Sequence, residues 1–310
     1  MLTTENVDII EGLLPGYIDI QTPDMSQYVA DQIFPQVQVA RVSGNYPVIG
    51  SQDAKPQDIT YSGFGKPVSF SFNVSSGSFK CEPKWIDIDV PYDVLKSAGD
   101  NEIDMATLGA AKLSAIHADV KEAAINTILT NNTNFVGNAT PSPLWDAADS
   151  TPIKDIAGAV SVVTKASRVR PNTLLMNLEV FMALLSNASM REIFNETSFI
   201  DQGRLRTYLS TAIPGITKLI VAGSSNDTTA EGLAASNAWG LADDCWILYV
   251  PDSVTFGTPS YGVQPIYEIP LAAEVIDDRK HRQVIYRAGQ RYDLIVPNKN
   301  YGYRLAQVIS

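Results

Sequence analysis

The sequence predicts an α+β fold, and three patterns carry that prediction. Val68, Phe70, Phe72 and Val74, and later Ile86, Ile88 and Val90, alternate with other residues at the period-two spacing of strands. From Glu102 to about Thr130, apolar residues recur every three or four positions, which is the spacing of one long helix. From Leu144 to Asn187 a helical pattern, a short apolar run and a second helical pattern follow one another.

Residues 1–45 read as an arm. Ile9, Leu13 and Leu14 form one amphipathic turn that Pro15-Gly16 closes, and Gln32–Val39 alternates around Pro35 as an edge strand does. The apolar residues of this arm need cover, from the chain's own domain or from a neighbouring subunit. In residues 46–92 Gly, Ser and Pro displace helix formers, and the two alternating runs predict a long β-hairpin, Val68–Val74 against Trp85–Val90. A two-stranded hairpin is marginal alone in water, so a projecting one is stabilised by packing on other chains.

The helix beyond it places Leu113, Ile116, Val120, Ala124 and Ile128 on one face, with Asp100 as cap and Asn131-Asn132 as stop. Its length is about 40 Å. Ser150 or Thr151 caps the next helix, Pro152 suits its first turn, and Arg170-Pro171 ends the pattern. Thr173–Met176 is then a buried strand, and Asn177 caps a helix whose core face is Phe181, Leu184 and Leu185.

A further helix is expected near Gln202–Ala212, broken by Pro214-Gly215, and buried strands at Lys218–Ala222 and Cys245–Val250. After Pro270 alternating strands return at Val284–Tyr286, Tyr292–Val296 and Tyr303–Val308. The domain reading is therefore an arm (1–45), a hairpin loop (46–92), one domain from 93–150 with 271–310, and another from 151–270.

Composition narrows the function. The 310 residues carry a formal net charge of −11, with 18% charged residues and 45% hydrophobic ones, so the chain folds around a core and is not a disordered acidic one. No run of Lys or Arg suits a grip on phosphate backbones. Cys81 and Cys245 lie far apart, which favours a reduced setting and leaves a single disulfide open. The N-terminus has no signal-peptide pattern, and no stretch approaches a spanning helix of about 20 apolar residues.

The sequence holds no reactive constellation, so the expectation is no catalytic, cofactor-binding or metal-binding residue and no enzyme. His117 lies in the long helix beside its core stripe, and His281 in a charged turn, Asp277–Arg282, each without ligands at metal-site spacing. Asp87 and Asp89 share the wet face of a strand, and Asp243-Asp244 is an ordinary acidic pair. Gly63-Phe64-Gly65-Lys66-Pro67 lacks the spacing of a phosphate loop and precedes a strand. A soluble hydrolase using Asp87 or His281 is the enzymatic alternative.

Trp145-Asp146 ahead of a helix with Pro152 and Ile156, followed by a Pro171-Asn172-Thr173 strand, resembles the major capsid proteins of tailed bacteriophages, which share the HK97-like fold. The resemblance implies that 46–92 is the extended loop lying across an adjacent subunit and that the long helix is the spine helix. It also implies a peripheral domain from 93–150 and 271–310, and an axial domain from 151–270. The implied function is self-assembly, through hexamers and pentamers, into an icosahedral shell enclosing double-stranded DNA without sequence-specific binding.

Implied partners are further copies of the chain, a separate scaffolding protein, a portal and decoration proteins, with no membrane. The implied location is the virion, assembled in the host bacterial cytoplasm. Alternatives are an encapsulin-type bacterial compartment enclosing an enzyme, and a tail or decoration protein. The aromatics expected at intersubunit contacts are Phe34, Phe64, Phe70, Phe72 and Trp85. Some relatives join subunits through a lysine–asparagine bond. Here Lys55, Lys66, Asn298 and Asn300 are expected to be ordinary surface residues.

Overall fold

A computed structural model of the chain describes residues 25–49, 74–100, 105–194, 200–227, 237–255 and 257–310. In chain order its elements are α1 (Ala30–Ile33), β1 (Gln36–Val39), β2 (Ser43–Ile49), β3 (Val74–Lys80), β4 (Glu82–Pro91), α2 (Tyr92–Asp100) and α3 (Met105–Thr130). Then follow β5 (Gly137–Ala139), α4 (Pro152–Ser167), β6 (Thr173–Asn177), α5 (Leu178–Ser186), α6 (Ala188–Phe194), α7 (Gln202–Ala212), β7 (Lys218–Ala222) and β8 (Ser225–Asp227). The last are β9 (Asn237–Trp239), β10 (Cys245–Leu248), β11 (Gln264–Asp278), β12 (Gln283–Tyr292) and β13 (Gly302–Leu305).

Two sheets organise these elements. The first has five strands in the order β5-β13-β10-β6-β7. Every residue of β6 and β10 is buried, as expected of strands covered on both faces. Leu174, Met176, Cys245 and Ile247 meet Ile156, Phe181, Leu184, Leu205 and Leu209 from α4, α5 and α7. Leu175, Trp246 and Leu248 point the other way, onto Val29, Ile33, Phe34, Ile125 and Leu129. The alternation of a strand thus feeds two cores with one run of apolar residues.

The second sheet has four strands in the order β1-β11-β12-β4. On one face Ile86, Ile88, Val90, Val284, Tyr286 and Ala288 pack with Val94 of α2 and Leu113 of α3. Gly109 of α3 sits under the Tyr286 ring, and a Cβ there would stand 3.3 Å from it.

The 26 residues of α3 cover about 39 Å and join both sheets. At its far end Trp246 Nε1 donates to the Leu129 carbonyl at 3.0 Å. The buried stripe departs from the expected one: Leu113, His117, Glu122, Ile125 and Leu129 face inward, while Val120 is 43% exposed. Two polar residues lie in that stripe because each finds partners there. A ring nitrogen of His117 lies 3.0 Å from the Ala288 carbonyl. Glu122 Oε2 accepts from the backbone N–H of Val29 and Ala30 at 3.3 and 3.2 Å, and Oε1 from Ser224 Oγ at 3.3 Å.

Pairing differs from expectation in two further places. Val74 belongs to β3, which runs antiparallel to β2 from Ser43↔Lys80 to Ile49↔Val74. Trp85–Val90 instead pairs with β12, so it is not the return strand of the hairpin. Tyr303, expected beside the long helix, lies in β13 and pairs with Ile247 and Gly137 in the five-stranded sheet.

The helix–strand–helix block holds, with one change of cap. Asn177 Oδ1 accepts from Val180 N at 2.8 Å as expected. Thr151 precedes α4 without a side-chain cap, and Ser150 Oγ instead donates to the Ala147 carbonyl at 2.8 Å.

Candidate assembly surfaces

The outer face of the four-stranded sheet begins with one close approach. Trp85 of β4 stands opposite Gly289 of β12, and a Cβ on Gly289 would fall 2.3 Å from the indole. Only glycine lets the ring lie on the neighbouring strand, where it remains 44% exposed. Two residues along, Arg287 grips Asp87 through two parallel bonds, Nε–Oδ1 and Nη2–Oδ2, each 2.8 Å. That fork holds the Asp87 carboxyl below its ordinary range and pushes the arginine up. Asp87 therefore lies on the wet face, as its spacing implied, and its partner is an arginine. The surface offers a half-open indole beside a satisfied ion pair, which suits contact with protein and supplies no nucleophile or base.

The base of the hairpin, β2 with β3, stands beside this face. Lys80 N donates to Asp293 Oδ2 at 2.9 Å and Cys81 N to the Val42 carbonyl at 2.7 Å, so the hairpin springs from the end of the sheet. Val74, the first residue of β3, is 57% exposed. A third surface lies on the helical side of the five-stranded sheet. There Trp239 Nε1 donates to Glu179 Oε2 at 2.7 Å, and Met182 and Ile193 are 44% and 49% exposed.

The expected contact aromatics divide. Trp85 is available. Phe34 is a correction: its ring is 0% exposed, with Tyr261 edge-on at 6.2 Å, so it is consumed inside its own subunit. It is buried because Glu122 fixes the start of α1 and turns Ile33 and Phe34 inward. Phe64, Phe70 and Phe72 lie outside the described residues, as do Lys55 and Lys66. Asn298 Oδ1 accepts from Asn300 N at 3.0 Å and caps a short turn.

The remaining candidates are structural. His281 Nδ1 lies 2.6 Å from Asp278 Oδ2 in the exposed turn between β11 and β12. Cys81 and Cys245 are free thiols in different cores, both pushed up by burial. Among the described residues no group of three or more His, Cys, Asp or Glu is placed to hold a metal ion, and no helix is long and apolar enough to cross a membrane.

Two buried polar centres escaped the sequence reading. One is Glu122, whose carboxyl burial pushes up to about 7. The other is Arg304, whose Nε donates to Asp244 Oδ2 at 2.7 Å and whose Nη1 reaches the Thr130 carbonyl and Asn132 Oδ1. The expected stripe gave no signal for Glu122, which lies across the helix from Val120 and Ala124, on the face that Ile125 and Leu129 bury.

No family model and no curated protein matches the chain. Solved structures do. A phage-related protein from Bordetella bronchiseptica RB50 superposes with a TM-score of 0.71 at 17% identity, over 93% of this chain and 94% of that one. The capsid of Myoviridae phage XM1 matches at 0.59 and 12% identity, over 98% of each chain. This is the HK97-like capsid fold. A virus-like particle from Pyrococcus furiosus is similar as well, with a TM-score of 0.53 at 13% identity over 92% of each chain. In that HK97-like fold α3 is the spine helix.

Proposed function

We propose that the chain is a shell subunit, the major capsid protein of a tailed bacteriophage, which self-assembles through hexamers and pentamers into an icosahedral container for double-stranded DNA. The observation that carries this reading is the extent of the likeness: 98% of this chain aligns with 98% of the phage XM1 capsid chain. The half-open indole of Trp85 and the exposed Met182, Ile193 and Trp239 are the side chains such contacts would use. The role is structural, and closure follows from repeating one set of contacts with small adjustments.

With domains drawn by shared sheet, the axial domain takes 151–263 together with β5 and β13. The peripheral domain takes 93–136 and β11 with β12, beside the loop 46–92 and the arm. Scaffolding, portal and decoration proteins are separate partners, and assembly takes place in the host bacterial cytoplasm.

The Pyrococcus particle supports a second reading, a compartment that encloses an enzyme. Negative-stain electron microscopy of the chain expressed alone tests the first claim, with closed particles, tubes or capsomers expected. Monomers that persist at high concentration would refute both readings. Nucleic acid inside particles made during phage growth separates the first from the second, which expects a protein cargo.

A further inference from the structure

The five-stranded sheet ends on β7, which pairs with β6 alone among the described residues. Lys218 N donates to the Asn172 carbonyl at 2.9 Å, so Lys218, Ile220 and Ala222 turn their peptide groups toward β6. Leu219 and Val221 turn theirs outward, and an open edge of this kind is a template for one more strand. The side chains of β7 divide between two layers. Leu219 and Val221 pack on the helical side with Leu205 and Leu209 of α7, and Ile220 and Ala222 on the other side with Val29 and Phe34.

The edge lies in a groove between those layers, about 560 Å³ in its wider part, with Gln32 and Pro35 on one wall and Arg206 of α7 on the other. Arg206 borders the groove from Lys218 to Val221. The other charges in it are paired, Lys218 with Asp252 at 2.5 Å and Asp31 with Lys121 at 2.8 Å. Arg206 lies over the Phe181 ring, 6.0 Å from its centroid, and meets no carboxylate among the described residues. One cation and the outward peptide groups of two residues are thus left to a ligand.

We propose that the groove takes an extended acidic segment of a second protein, which joins the sheet as a strand beside β7. Residues directly opposite each other in a sheet share a face, so an acid opposite Leu219 or Val221 points to the α7 side, where Arg206 stands. The residues between point toward Ile220 and Pro35, an apolar wall. The segment is therefore one of alternating acidic and apolar residues, and about 17 Å of it covers the five residues of β7. The described acidic strands of another copy do not supply it: Asp87 and Asp89 in β4, and Asp277 and Asp278 in β11, are already paired with β12. The inference concerns the folded subunit and holds whether or not the chain forms shells.

The test titrates the full chain with the dye-labelled peptide Thr-Val-Glu-Val-Glu-Val-Thr and follows anisotropy and amide exchange. Binding should saturate and slow exchange at Leu219 and Val221 roughly tenfold. Arg206→Glu should weaken it about tenfold and Arg206→Lys much less, with thermal melts checking that both variants fold. The peptide with Lys in place of Glu should bind the natural chain about tenfold more weakly, a comparison that needs no variant. Equal affinity for the two peptides would overturn the acidic partner. Binding without slowed exchange would overturn the added strand, and absence of saturable binding would overturn the site. Slow exchange at both amides before any peptide is added would mean that the chain fills its own edge, which overturns a second protein there.

Discussion

Glu122 sets the terms at the scale of single residues. Its carboxyl is fully buried and receives three donors, two from the backbone where the N-terminal segment enters the core and one from Ser224. The charges around it are otherwise engaged: Asp31 with Lys121, and Asp119 with the Tyr28 hydroxyl. Burial lifts this acid from an ordinary 4.5 to about 7, so the folded chain holds a proton that the unfolded chain has released between those values. Stability contributed by the site is therefore complete below pH 4.5 and declines as pH rises to 7. The full loss is on the order of 3 kcal/mol.

Glu122→Gln cannot titrate and keeps an acceptor for the backbone donors. Urea unfolding of dissociated subunits at pH 5 and pH 8 should show a smaller difference for this variant than for the natural chain. An equal difference in both would remove Glu122 as its source. Glu122→Ala, which strands Val29 N–H and Ala30 N–H, should lose roughly 3 kcal/mol at pH 5. The sequence identified the long helix at this place but not its polar tether, because a carboxylate in a buried stripe becomes favourable only when donors arrive from residues about ninety positions away.

Elements acquire their meaning from partners. Trp85–Val90 reads as one arm of a hairpin, yet it lies in β4 at the edge of a sheet, paired with β12 over ten residues from Pro91↔Gln283 to Glu82↔Tyr292. Alternation fixed which side of the strand is wet and which is dry, and left its neighbour open. This placement separates two aromatics that the sequence treats alike. Phe34→Ala would empty a closed core and should cost about 3–5 kcal/mol of subunit stability. Trp85→Ala should leave subunit melting nearly unchanged and weaken association by about 2 kcal/mol. Thermal melts of subunits, set beside particle yield at fixed protein concentration, check the pair. If Trp85→Ala assembles normally, that face of the sheet is not a contact.

The whole molecule carries a net charge of −11, and every copy brings the same sign to its neighbours. On the proposed reading, assembly works against a repulsion that salt screens, with a Debye length falling from about 30 Å at 0.01 M to about 8 Å at 0.15 M. Particle yield from purified subunits, followed by light scattering, should rise across that range. A fall would mean that attractive charge pairs between subunits dominate the sum. Of the two sources of cover open to the apolar residues near the N-terminus, the chain's own domain supplies it for the described ones Val29, Ile33 and Phe34, under the five-stranded sheet. Among the described residues Trp85 is one of the large apolar side chains left exposed.

The sequence alone determined the α+β class, the long helix, the capped block around Thr173–Asn177 and the resemblance to phage shell proteins. These rest on spacing and on caps, and both act within a few residues. Tertiary structure decided which strands pair, which face of the spine helix is buried, that Phe34 is spent inside the subunit, and that Gly289 frees the indole of Trp85. Each of those depends on atoms brought together from distant parts of the chain, where one glycine or one buried carboxylate outweighs the local pattern.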